Sequence, residues 1–199
     1  MDRSERLERL NRKFQKTIAK MIENAPHTHA VITEHNVYQE GDPKNKKLMQ
    51  SIIHELMLPG GRLIGFENLI ELYKLAQSGN KCLILMEHYS NFDIPCFYDL
   101  MERQGDWGLK VSKSIVSVAG LKLNEDSALV RSFTEIFTRV VIFPKSRLEN
   151  AKDETALKEA LDRGKKINLA ALKKLFELRK SGRLILVFPT GTRYRPWDP

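Results

Sequence analysis

The chain has 199 residues, 42% of them hydrophobic and 29% charged, with a net charge of +8. That is enough apolar material, regularly spaced, to bury a core in one domain, and it excludes a disordered chain. The longest uncharged apolar runs, 82–86 and 184–188, fall far short of the ~20 residues a membrane-crossing helix needs, and no apolar leader follows Met1.

Two cysteines, Cys82 and Cys96, make neither a disulfide framework nor a zinc site and point to the reducing cytoplasm. The charge is lopsided. Lysine and arginine balance aspartate and glutamate over residues 1–100, so the whole excess lies in 101–199. A basic half suits an anionic partner, whether nucleic acid, a lipid surface or a phosphorylated small molecule.

Taken in order, residues 4–24 predict an amphipathic helix. Leu7, Leu10, Phe14, Ile18, Met21 and Ile22 share one face, and Arg3, Arg6, Arg9, Lys13, Lys16 and Lys20 the other. Such a basic face leaves peripheral contact with anionic lipid open. Glu5, Glu8 and Glu23 are interleaved with it, which favours a helix packed on the domain. A loop holding Pro26, Gly41 and Pro43 precedes a second helix over 45–57, closed by Pro59, Gly60 and Gly61.

From residue 63 strands alternate with helices. Helix is predicted at 66–77, 94–104, 127–138 and 168–180, the last with Asn168 as its N-cap. Strand is predicted at 81–86, near 109–111, at 139–143 and at 184–188. The expectation is an α/β fold with a largely parallel central sheet flanked by helices: an N-terminal helical annex over 1–62 and the α/β domain over 63–199. Sheets of this kind carry their sites in loops at the strand C-termini, here 87–93, 144–147 and 189–195.

The first loop runs Glu87-His88-Tyr89-Ser90-Asn91-Phe92-Asp93 and is followed by Ile94-Pro95. On one helix His88 and Asp93 would point about 140° apart. They meet only if a strand hands over to a helix between them, and Pro95 suits a first helical turn. A histidine held by a carboxylate has a fixed tautomer and can take a proton from a hydroxyl. The plainer alternative is that Asp93 caps the helix and His88 is a loop residue. The third loop, Phe188-Pro-Thr-Gly-Thr-Arg193-Tyr-Arg195, has the glycine, hydroxyls and guanidinium groups that hold a phosphate. Lys145 and Arg147 add two cations at another strand end, expected to neighbour the strand that carries the third loop.

His88-Tyr-Ser-Asn-Phe-Asp93 resembles the H-x4-D block of the glycerolipid acyltransferases, and Phe188-Pro-Thr-Gly-Thr-Arg193 resembles their F-P-E-G-T-R block. Thr190 stands where most of that superfamily has glutamate. The stretch 188–199 also resembles the P-S-G-G-R-D-R-P-D-P segment of soluble, plastid-type glycerol-3-phosphate acyltransferases. Val118-Ala119-Gly120 and Lys145–Arg147 fall where that branch has similar residues. The resemblance covers roughly 63–199. Its relatives run on past this block, so it implies a chain cut short at its C-terminus.

The resemblance implies transfer of an acyl group from acyl-CoA or acyl-ACP to a hydroxyl of glycerol 3-phosphate. His88 would be the base and Asp93 its orienting partner. Lys145, Arg147, Gly191, Thr192, Arg193 and Arg195 would hold the phosphate. It implies no metal and no cofactor beyond the acyl carrier. The remaining histidines, His27, His29, His35 and His54, lie in the annex without cysteine support. One alternative is the second acylation, with 1-acylglycerol 3-phosphate as acceptor. A nucleic-acid-binding domain would use the basic half, but no motif for groove or base recognition occurs. A G-x-S-x-G hydrolase elbow is also missing, which leaves Ser90 a poor nucleophile.

Overall fold

The computed structural model describes residues 2–25, 31–125, 128–149 and 151–194. Asp2 starts the first helix, α1 (Arg3–Asn24). Its carboxylate accepts the Ser4 and Glu5 amides while Glu5 reaches back to the Asp2 amide, so orphan donors at that terminus are satisfied. Then come β1 (Tyr38–Gln39), α2 (Lys46–Leu56), α3 (Phe66–Gln77), β2 (Leu83–Leu85) and α4 (Asp93–Glu102). The second half holds α5 (Asp106–Ser114), β3 (Ile115–Gly120), α6 (Lys122–Glu125), α7 (Ala128–Thr134), β4 (Arg139–Ile142), α8 (Glu154–Lys180) and β5 (Leu184–Val187). The fold is α/β.

The five strands form one sheet in the order β1-β4-β3-β5-β2, parallel except for β1, which pairs antiparallel with β4. Strand alternation sends successive side chains to opposite faces. Ile115, Leu184 and Leu186 join Met21, Met49, Ile53, Met101 and Val111 on the face covered by α1, α2, α4 and α5. Val116, Val140 and Ile185 meet Ile167, Ala171 and Leu178 of α8 on the other. Burial on both faces explains why β5 reads as a continuous apolar run rather than an alternating one. Each such side chain contributes about 1.5–3 kcal/mol when removed from water. The described residues of the stretch 1–62 share this core through Met21, Ile32, Met49 and Ile53, and they add β1 to the sheet. Among the described residues no helix is long and apolar enough to cross a membrane.

Three sequence expectations are corrected. The stretch 109–111 is helix, inside α5, and the strand follows at Ile115–Gly120. The reason lies in two glycines. Gly105, at φ 75°, breaks the chain after α4, and Gly108 packs so tightly on α4 that a Cβ there would sit 1.9 Å from the Met101 carbonyl oxygen. Asn168 is not an N-cap. The helix begins a full fourteen positions earlier in sequence, at Glu154, where the Asp153 carboxylate accepts the Ala156 amide. Asn168 instead lies mid-helix and pins β4. Its Oδ1 accepts the Phe143 amide at 2.8 Å and its Nδ2 donates to the Phe143 carbonyl at 3.0 Å. Finally, the helix expected over 127–138 is shorter, α7, and β1 was not foreseen at all.

Candidate active site

β2 and β5 are neighbours running the same way, so the loops that follow them open at the same edge of the sheet. That places residues 87–93 beside residues 188–194. The two segments are joined directly. The Tyr194 amide donates to the His88 carbonyl at 2.7 Å, the Phe188 ring stacks on the His88 imidazole with centroids 4.2 Å apart, and Tyr89 and Tyr194 meet edge to face.

His88 Nδ1 lies 2.8 Å from Asp93 Oδ2. A carboxylate only accepts, so Nδ1 carries the proton and Nε2 is left with its lone pair. The same Asp93 oxygen accepts the amides of Tyr89 at 2.8 Å and Ser90 at 2.9 Å. These bonds run backward, to the loop, rather than forward into the first turn of α4. Asp93 therefore organises the loop around His88 rather than capping its own helix, which decides between the two sequence readings. Its place at the first position of α4 also puts the carboxylate at the positive end of the helix dipole. Pro95, in the first turn, lacks only an amide that has no intrahelical partner anyway. The site is partly sheltered: the His88 and Asp93 side chains are 22% and 16% exposed.

Ser90 is occupied in a turn, its Oγ accepting the Phe92 amide. The Tyr89 hydroxyl donates to the Glu87 carboxylate, and that carboxylate holds the phenol above its ordinary pKa. α4 is anchored from behind. Asp99, buried, pairs with His54 Nε2 of α2 at 2.8 Å and with Arg103 at 2.7 Å, while Glu102 takes Lys46 at 2.6 Å. Burial, then Asp99 and Asp93, push the Cys96 thiol pKa up.

The phosphate-binding expectations fare unevenly. Gly191 turns the chain at φ 66°, a conformation that suits glycine, and Thr190 Oγ1 closes the turn by donating to the Thr192 carbonyl. Arg193 is exposed beyond this turn, at the His88 side of the sheet. Arg195 lies outside the described residues, as do His27 and His29. Lys145 and Arg147 occupy a 3-10 turn after β4, but not on the strand next to β5 as expected. β3 intervenes, which separates the two strand ends by about 10 Å. One strand separates them from the Arg193 turn and two separate them from the dyad.

The sequence reading missed what Phe188 does, the backbone amides of Tyr89 and Ser90, and the Tyr89–Tyr194 rim. An aromatic residue closing a strand one position before a proline and a phosphate-type turn was the available signal for Phe188. Among the described residues no three histidine, cysteine, aspartate or glutamate side chains converge on a common point. No family model matches the chain, and no curated protein does.

Proposed function

We propose that this chain is an acyltransferase that moves an acyl group from an acyl thioester, carried by coenzyme A or acyl carrier protein, to a hydroxyl of glycerol 3-phosphate. The observation that carries the reading is the junction of the two distant blocks: His88, fixed by Asp93 and stacked on Phe188, stands against the turn that presents Arg193.

In this mechanism His88 Nε2 accepts the proton of the acceptor hydroxyl as its oxygen attacks the thioester carbonyl carbon. The carbonyl π electrons move to oxygen. On collapse of the tetrahedral adduct the C–S bond breaks and the proton passes from Nε2 to the departing thiolate. Asp93 keeps the imidazole in the productive tautomer and favours the transient imidazolium. Arg193, with Arg195, holds the phosphate of the acceptor, and Lys145 and Arg147 serve its far side.

The test is acyl transfer from both carriers to glycerol 3-phosphate and to its monoacyl form, with His88→Ala as control. Esterification of glycerol 3-phosphate that vanishes in the variant supports the proposal. Preference for the monoacyl acceptor would assign the second acylation instead. Transfer that survives in His88→Ala, or no transfer to either acceptor, would overturn it.

A further inference from the structure

A cavity of about 310 Å³ lies on the α8 face of the sheet, at the C-terminal end of β4. That volume is at the lower end of the range of small-molecule sites. Three strand spacings, about 14 Å, separate this end of β4 from the end of β2, where His88 follows. The cavity is a different place from the dyad.

Its lining has a distinct chemistry. Phe143, Pro144, Leu148 and Leu161 supply apolar walls, and Lys145 and Lys165 supply two ammonium groups. Among the described residues no carboxylate lines it. Neither lysine has an acidic partner among the described residues, in contrast to Lys13, Lys46 and Lys174, which are paired. Asn168, the remaining polar side chain, has its amide committed to the Phe143 backbone. Gly164 shapes the wall. A Cβ there would sit 3.0 Å from the Phe143 ring, so glycine lets α8 close onto that ring.

We propose that this cavity binds an amphipathic anion: a single alkyl chain with an acidic head, carboxylate or phosphate. The chain lies along Phe143, Leu148 and Leu161, and Lys145 and Lys165 pair with the head. Two lysines without acidic partners beside a wall of Phe143, Leu148 and Leu161 match a ligand that is part alkyl and part anion. A whole two-chain phospholipid is too large for the volume. The site does not rest on the acyltransferase reading, although Lys145 is shared with it.

Equilibrium binding to the His88→Ala protein tests this without turnover. The probes are decyl phosphate, decanoate, decanol and inorganic phosphate, each below any micelle concentration. Saturable 1:1 binding of decyl phosphate or decanoate is expected, at least tenfold tighter than decanol and than inorganic phosphate. Which acidic probe binds tighter identifies the head group. Shortening the chain should weaken binding by about fourfold per methylene. Lys165→Gln should weaken the acidic probes about tenfold and leave decanol unchanged. Leu161→Asn should weaken every alkyl probe. Lys173→Gln, elsewhere on α8, should change nothing. Equal binding of decanol, equal binding of inorganic phosphate, or a loss in Lys173→Gln as large as in Lys165→Gln would each overturn the proposal. Both Lys165 and Leu161 are exposed, so their replacement spares the core.

Discussion

Phe188 lies almost flat against His88, with ring planes 23° from parallel. The stack fixes the imidazole from the side that Asp93 does not reach. Phe188→Leu keeps an apolar side chain, though a smaller one, and loses the flat face. It should lower kcat about tenfold while KM for both substrates changes little, and stopped assays with each substrate varied in turn will show it. A variant with unaltered kcat would mean that Asp93 alone sets the ring.

The dyad itself gives the larger effects. His88→Ala should cost roughly 10²–10⁴-fold in kcat with the fold intact by circular dichroism. Asp93→Asn should cost less, because the ring remains but its tautomer is no longer enforced. Near-normal turnover in His88→Ala would sink the base assignment.

Arg193 should separate the two substrates. A lost charge-assisted hydrogen bond is worth roughly 1.5–3 kcal/mol, or about one to two decades in affinity. Arg193→Ala should therefore raise KM for glycerol 3-phosphate by that factor and spare the acyl donor. Arg193→Lys should recover part, since an ammonium keeps the charge without the fork. A rise in donor KM alone would move the arginine to the carrier site.

Asn168→Ala removes two hydrogen bonds and leaves the Phe143 backbone groups unsatisfied. The expected loss is about 1–3 kcal/mol, a fall in melting temperature of roughly 2–4 °C per kcal/mol for a chain of this size. An unchanged melting curve would show that water replaces the amide freely.

Tyr98 makes an alkaline prediction. Burial, above all, raises its phenol pKa above the usual value near 10, and its hydroxyl faces Ser117 without closing a hydrogen bond. The folded state holds this proton more tightly than the unfolded chain does. Its contribution is thus complete below about pH 10 and is lost as pH rises toward the folded value. Tyr98→Phe should melt no lower than the parent at about pH 8 and fall less steeply above about pH 10. Parallel curves across that range would remove Tyr98 from the account.

Much of this arrangement could be read from the chain, because the informative signals are local. His88 and Asp93 can converge only across a strand-to-helix junction, and a parallel sheet brings loops to one end. What stayed hidden depended on contacts distant in sequence. β1 is two residues long and exists because β4 offers an edge, which no periodicity records. Asn168 suggested a cap because asparagine is poor inside helices, yet its partner is the Phe143 backbone. The order of the strands, which keeps Lys145 a strand away from Arg193, is a property of the crossovers alone.

β2 is the sheet's outermost strand on the His88 side, three residues long, and among the described residues it pairs only with β5. Leu83 and Leu85, on its uncovered face, are 52% and 64% exposed. Little apolar burial therefore opposes its opening, and amide hydrogen exchange should be faster at Leu83–Leu85 than at the central β3. Warming would then unseat His88 while β3, β4 and α8 are still folded. Activity would decay ahead of the global unfolding transition.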